Sequence, residues 1–329
     1  MFLTRRLPSS VTARLEAACE VERFDGVGVM PHAELVARLP AKHALIAMVT
    51  DEVNRTAIGA GTDLRVVANV AVGYNNIDVA AARERGIIVT NTPDVLTDAT
   101  ADFAWALILA ITRRLAEGER LLRRGDWRGW ALDFMLGTEL RGKQLGIVGF
   151  GRIGGAVAAR AAAFGMRVAC AARRSNSGRA VTRGTPSDSR GSRPPGPPDV
   201  AAMPLDRLLS TSDIVSLHVP LTPETQHLID QPALARMKRT AYLINTSRGP
   251  VVDEAALAWA LTNRLIAGAA LDVYEYEPAV HPDLLLLENV LLAPHLASGT
   301  TETRTAMADL AACNVLAVLA GQPPLTPVP

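Results

Sequence analysis

At 329 residues, with 34 basic against 33 acidic side chains and a formal net charge of +1, the chain is long enough for two cores and has no charge excess that would draw it to nucleic acid or an anionic membrane. Hydrophobic residues make up 49% and charged residues 20%, the balance of a globular chain rather than a disordered one. Cys19, Cys170 and Cys313 have neither metal nor redox spacing, so they are expected as buried thiols in a reducing cytoplasm, with no disulfide and no metal.

The opening stretch, MFLTRRLPSS, carries two arginines but no apolar core of signal-peptide length. Ala44 to Val49, Leu64 to Ala68 and Ile87 to Val89 are short apolar runs that predict buried strands. Pro31 to Leu39 and Asp78 to Arg85 have helical periodicity between them. Alternation of this kind implies a parallel sheet. Ala71-Val72-Gly73-Tyr74 follows one strand as a loop. Asn91-Thr92-Pro93 then breaks the pattern, and Thr97 to Arg124 predicts one long helix crossing to a second domain. Ala99 to Leu115 is the most apolar segment, but Asp102 interrupts it and it is too short for a membrane span. Asp126 to Gly137 holds two of the four tryptophans, which suits an interface segment or ordinary core packing.

Leu145 to Gly154 (LGIVGFGRIG) is an apolar run ending in glycines at 149, 151 and 154, followed by an alanine-rich helix over Ala156 to Phe164 and a second apolar run at Met166 to Ala171. A βαβ unit with this turn predicts a dinucleotide site. Gly149 allows the tight turn, Gly151 the approach of backbone to pyrophosphate, and Gly154 the packing of helix on strand. The helix N-terminus adds unpaired N–H groups for the phosphates. An NAD site ends the second strand in Asp or Glu to hold the ribose hydroxyls. Here the strand runs out through Ala171-Ala172-Arg173-Arg174, which favours a 2′-phosphate and hence NADP(H), with NADH as the weaker alternative. Two arginines that merely open a solvated loop remain the competing reading. Residues 175–198, rich in Arg, Pro and Ser and nearly devoid of apolar side chains, are expected to form a flexible loop.

Past that stretch come predicted strands at Asp213 to Val219, Ala241 to Asn245, Gly268 to Asp272 and Asn289 to Ala293. Helices are expected around Ala233 to Met237, from Asp253 to Leu261, and from Thr301 to Leu319. Arg248, Glu277 and His295 each fall just past a strand's carboxyl end, where open α/β sheets bind ligands. Hydride transfer to a carbonyl asks the protein for a proton donor, a cation for the substrate's charged group, and placement. His295 suits the first, with Glu277 as its orienting carboxylate, and Arg248 the second through two parallel hydrogen bonds. Singly, each is as readily a structural residue.

Together, the glycine turn, Asn245-Thr246-Ser247-Arg248-Gly249, Leu271-Asp272-Val273 with Glu277-Pro278, and Pro294-His295-Leu296-Ala297-Ser298 resemble the D-isomer-specific 2-hydroxyacid dehydrogenases over nearly the whole chain. Asn91 to Thr97, Asp126-Trp127 and the arginines after the second strand resemble the glyoxylate and hydroxypyruvate reductase branch. The resemblance implies two Rossmann-like parallel-sheet α/β domains with a cleft between them. A flavodoxin-like substrate domain would comprise residues 1–98 and 294–329, and an inserted dinucleotide-binding domain residues 99–293. It implies Arg248 as substrate clamp, His295 as acid/base and Glu277 as its partner, with the Val72-Gly73 backbone on the substrate carboxylate. Arg152, Ile153, Pro220, Thr246, Asp272 and Ala297 would line the cofactor with Arg248 and His295. The implied protein is a homodimer joined through the cofactor domain, acting on a small 2-keto acid. Asn75 replaces the usual aspartate after Tyr74, with a local effect expected. Alternatives are a reductase of phosphoglycerate or bulkier 2-keto acids, or a nucleotide-sensing scaffold on the same fold.

Overall fold

The computed structural model describes residues 1–171 and 199–329. Arg173, Arg174 and the 175–198 stretch lie outside the described residues. The chain divides into two compact units, Met1–Leu96 with Gly299–Pro329, and Thr97–Ser298.

The first unit begins with β1 (Phe2–Leu3), α1 (Ser9–Glu16), β2 (Glu22–Arg23), α2 (His32–Arg38), β3 (Ala44–Ala47), α3 (Arg55–Ala60), β4 (Val66–Asn69), α4 (Val79–Glu84) and β5 (Ile88–Thr90). Its five strands are all parallel in the order β2-β1-β3-β4-β5, the flavodoxin-like arrangement. Alternate side chains serve opposite faces. Phe2, Leu45, Ala47 and Val67 pack with Leu35, Ile58 and Ala82, whereas Leu3, Ala44, Ile46, Val66 and Ala68 pack on the other side. β1, α1, β2 and α3 go beyond the sequence reading; β1 and β2 have two residues each, too few for a period to register.

In the second unit the expected single helix is two: α5 (Thr97–Thr112) and α6 (Leu115–Arg123). Arg114 breaks the run by adopting a left-handed conformation, φ +53°, while its guanidinium pairs with Glu117 at 2.6 Å. Neither Gly nor Pro marks the place, so nothing in the sequence signals it. α5 buries Ala101, Ala104, Trp105, Ile108 and Ile111, whereas α6 buries nothing. Residues 126–137 form no helix or strand, and Trp127, Trp130, Leu132 and Leu136 are exposed, which excludes core packing for that segment.

The unit continues with β6 (Gln144–Val148), α7 (Arg152–Ala161), β7 (Arg167–Ala171), β8 (Val200–Ala202), α8 (Leu205–Thr211), β9 (Ile214–Leu217), α9 (Gln231–Arg236), β10 (Tyr242–Asn245), α10 (Glu254–Thr262), β11 (Gly268–Leu271), α11 (Pro282–Leu285) and β12 (Val290–Leu292). All seven strands are parallel, ordered β12-β11-β10-β9-β6-β7-β8. The order reverses between β6 and β9, the switch point at which such sheets bind dinucleotides. Cys170 is buried on one face among Leu145, Ile147 and Val168, as the sequence suggests, whereas Cys19 and Cys313, expected buried, are only half-buried.

The chain then returns to the first unit as α12 (Thr301–Leu319), capped by Thr300, whose hydroxyl accepts the Thr303 N–H at 3.1 Å. Its buried face, Ala308, Ala311, Ala312, Val315 and Val318, covers β3 and β4 with Val11 and Leu15 of α1. Among the described residues no helix is long and apolar enough to cross a membrane.

Candidate active site

Because every strand of the larger sheet runs the same way, their carboxyl ends share one edge. Along that edge stand the glycine turn after β6, Pro220 beyond β9, Thr246 to Arg248 after β10, Asp272 to Glu277 after β11, and His295 beyond β12. Four strand spacings of about 4.8 Å carry this row over roughly 19 Å, enough for an extended dinucleotide.

The glycine turn meets the steric requirements of such a ligand. Gly149 has φ +94°, and a β-carbon there would lie 2.6 Å from the His218 carbonyl oxygen. A β-carbon on Gly154 would lie 2.2 Å from the Gly149 oxygen, whereas at Gly151 it would meet nothing within 4 Å. Backbone is therefore packed tightly below the turn and bare above it. Gly151 caps α7 without any side-chain hydrogen bond, leaving the first N–H groups of the helix for an anion. Arg152 is exposed and Ile153 half-buried beside it. His218 contributes no cation, since burial lowers its imidazole to about 4. Midway along the edge, after β10, the Thr246 hydroxyl is buried without a hydrogen-bond partner among the described residues, as a polar ligand group lying there would require. The residues present fit a dinucleotide.

Arg248 is set by an asparagine turn. Asn245 Oδ1 accepts the Ser247 N–H at 3.0 Å and its hydroxyl at 2.8 Å, while Nδ2 donates to the Arg248 carbonyl at 3.0 Å. Gly249 then presses against the loop after β11, where a β-carbon would lie 1.8 Å from the Tyr274 carbonyl carbon. No larger residue fits, and this approach holds the arginine turn on the loop that bears Glu277. Burial pushes the Arg248 guanidinium below its usual value, opposed by the charge of Glu277.

His295 occupies the left-handed region at φ +53°. Its N–H donates to the Asp272 carbonyl at 2.9 Å. The Asp272 carboxylate, fully buried, accepts the Leu296 N–H at 2.6 Å and the Ala297 N–H at 2.8 Å. Burial pushes that carboxyl up while these N–H groups hold it down. Residues 294–298 are thereby fastened to the second unit, and the chain leaves it after Ser298. The imidazole Nδ1 lies 2.9 Å from Glu277 Oε2, and Glu277 Oε1 accepts the Tyr274 N–H at 3.0 Å. With Nδ1 on the carboxylate, Nε2 is the ring atom for proton transfer. Both side chains remain reachable, 32% exposed for His295 and 25% for Glu277.

In the first unit, Asn91 Nδ2 donates to the Val72 carbonyl and Asn69 Nδ2 to the Gly73 carbonyl, each at 2.8 Å. Both carbonyls of the loop are thus held by the chain itself, which fixes the peptide planes around Gly73. Asn76 braces Asn69 from below, bonded to it at 3.0 Å and to the Met48 and Asp51 carbonyls. The sequence reading names Asn91, Asn245 and Gly249 only within motifs and gives them no separate role; those of Asn91 and Gly249 depend on partners far along the chain.

Burial pushes the Glu277 carboxyl up, but the hydrogen bond and charge of His295, the Tyr274 N–H and Arg248 outweigh it and leave it below its usual 4.5. Its contribution to stability is therefore complete above about pH 4.5 and lost as the pH falls through the lower folded-state value. The Tm gap between the wild type and Glu277→Gln is expected at pH 7 and should close on acidification below pH 4.5. An equal gap at pH 7 and pH 3 would contradict this.

Residues 105–297 match the family model described as D-isomer specific 2-hydroxyacid dehydrogenase, NAD binding domain. A glyoxylate reductase from Korarchaeum cryptofilum is 45% identical, covering 98% of this chain and 94% of that one. Among solved structures, a Thermus thermophilus protein superposes with a TM-score of 0.88 at 43% identity, covering 100% of this chain and 99% of that one. An NADPH-dependent glyoxylate/hydroxypyruvate reductase from Sinorhizobium meliloti, solved with NADP and malonate, gives 0.83 at 35% identity, covering 99% and 95%. With two parallel-sheet units, a dinucleotide turn and an Arg-Glu-His group on one sheet edge, the chain belongs to the D-isomer-specific 2-hydroxyacid dehydrogenase family, is most like its glyoxylate reductase branch, and is a nicotinamide-dinucleotide-dependent oxidoreductase.

Proposed function

We propose that this enzyme reduces small 2-keto acids, glyoxylate and hydroxypyruvate, to glycolate and D-glycerate, with NADPH preferred over NADH. The observation that carries the reading is the 2.9 Å contact of His295 with Glu277 on the edge that also bears Arg248 and the glycine turn. The bound reduced nicotinamide supplies the hydride. Arg248 receives the substrate carboxylate in a two-point grip. Glu277 holds the imidazole in one orientation. His295 Nε2 delivers the proton to the carbonyl oxygen as the hydride reaches C2, which leaves the 2-hydroxy acid and a neutral imidazole. In this reading the unit Met1–Leu96 with Gly299–Pro329 is the substrate domain, and Thr97–Ser298, which carries His295, the nucleotide domain. The named substrates are those of the Korarchaeum and Sinorhizobium relatives.

The NADPH preference rests on Arg173 and Arg174, on the lack of a carboxylate after β7, and on the description of the Sinorhizobium relative as NADPH-dependent. A cytoplasmic setting suits three free thiols. The arm of residues 126–137 supports a homodimer through the nucleotide domain. Trp130 is 81%, Leu132 82%, Leu136 66% and Trp127 52% exposed, four large apolar side chains turned outward within one short segment.

Purified enzyme should consume NADPH with glyoxylate and hydroxypyruvate faster than with bulkier keto acids, and His295→Ala should lower kcat by about 10²-fold or more. Replacing Arg173 and Arg174 by Ala should raise the KM for NADPH and leave that for NADH nearly unchanged. Equal KM values for NADPH before and after would remove the cofactor preference. Sedimentation should give twice 34.9 kDa for the wild type and a single chain for Trp130→Glu with Leu132→Glu; an unaltered dimer would clear the arm of that role.

A further inference from the structure

We infer that Glu254 is a positioning residue for the acid/base pair: its buried carboxylate clamps both feet of the turn that carries Glu277. The inference rests on the proposed role of Glu277 and His295, and it concerns a side chain remote from substrate and cofactor.

Glu254 opens α10 and is 3% exposed, an unusual place for a carboxylate. Its own helix does not need it, because Asp253 is the cap and accepts the Ala256 N–H at 2.9 Å. Glu254 Oε1 instead accepts the Glu275 N–H at 2.6 Å, and Oε2 accepts the His281 N–H at 3.2 Å. These two donors are six residues apart and flank Glu277. Between them the turn is closed by the Ala279 N–H, which donates to the Tyr276 carbonyl at 2.9 Å. One side chain thus pins the entry and the exit of the segment.

The consequence reaches the imidazole in two steps. Glu275 follows Tyr274, whose N–H fixes Glu277 Oε1, and the other oxygen of Glu277 holds His295 Nδ1. A second strut acts on the same foot, since His227 Nε2 lies 2.7 Å from Glu275 Oε1. Burial pushes the Glu254 carboxyl up and the two N–H groups hold it down. A carboxylate offers two acceptor oxygens for two divergent donors. An amide in its place offers one, and sets its NH2 against the second backbone N–H.

Glu254→Gln should lower kcat for glyoxylate reduction about tenfold while the KM for the nucleotide changes less than twofold, because a small misplacement of the pair affects the chemical step. In a Glu277→Gln background the same substitution should cost less than twofold more, since the residue it positions is already gone. A full tenfold loss in that background, or a loss confined to KM, overturns the inference. His281→Pro is the second variant. It deletes one of the two N–H donors at a residue whose φ of −55° already suits proline, and it should reproduce the fall in kcat; wild-type kcat there overturns the inference. The low-field proton resonance of the His295 Nδ1–H on Glu277 reads the clamp without turnover. It should weaken or vanish in Glu254→Gln, and its persistence unchanged overturns the inference. Absence of keto-acid reduction by the wild type with this resonance intact would instead defeat the proposed reaction alone.

Discussion

The contact on which the site depends is the hydrogen bond between His295 and Glu277, 18 residues apart and borne by the ends of neighbouring strands β12 and β11. Neither residue is held by a helix or strand of its own. Glu277 sits in an irregular turn, and His295 in a left-handed conformation that non-glycine residues seldom adopt. Each is therefore fixed from outside. The buried Asp272 carboxylate holds the turn after His295, the Tyr274 N–H and the Glu254 carboxylate hold the turn around Glu277, and Gly249 seats the Arg248 turn against the same loop. The chemistry needs three groups, and the chain places several more behind them.

The supporting groups include two buried carboxylates, Asp272 and Glu254, and the Asn245 amide, and each is satisfied by backbone N–H donors or by its own neighbours. Backbone donors suit this purpose because their positions are set by the fold and do not swing away as a lysine would. The charge of His295, bonded to Glu277 at 2.9 Å, and that of Arg248 both act on the Glu277 carboxylate. The glycine turn follows the same division. Packing is tight beneath Gly149 and Gly154, and the face above Gly151 is bare for a ligand.

Much of the fold is legible in the sequence, since strands buried on both faces read as continuous apolar runs. The runs that predict β3, β4, β6, β7, β10 and β11 are strands within a residue or two of their expected bounds, and α12 spans Thr301 to Leu319 as expected. The break between α5 and α6 is not legible, because Arg114 turns left-handed where neither Gly nor Pro marks the place. The short elements β1, β2, β8 and α3 owe their structure to the sheet and core around them.

The sequence by itself determined the parallel α/β class, the glycine turn and the chemistry available at Arg248, Glu277 and His295, because period, turn residues and functional groups are local properties. It also holds the arginines that argue for a 2′-phosphate. Only the tertiary structure decided that Glu277 and His295 meet, that Asp272 and Glu254 turn their carboxylates to backbone donors, and that Gly249 must be a glycine. Each of those facts is a distance between segments brought together by strand register and burial, and no window of sequence contains both ends of it.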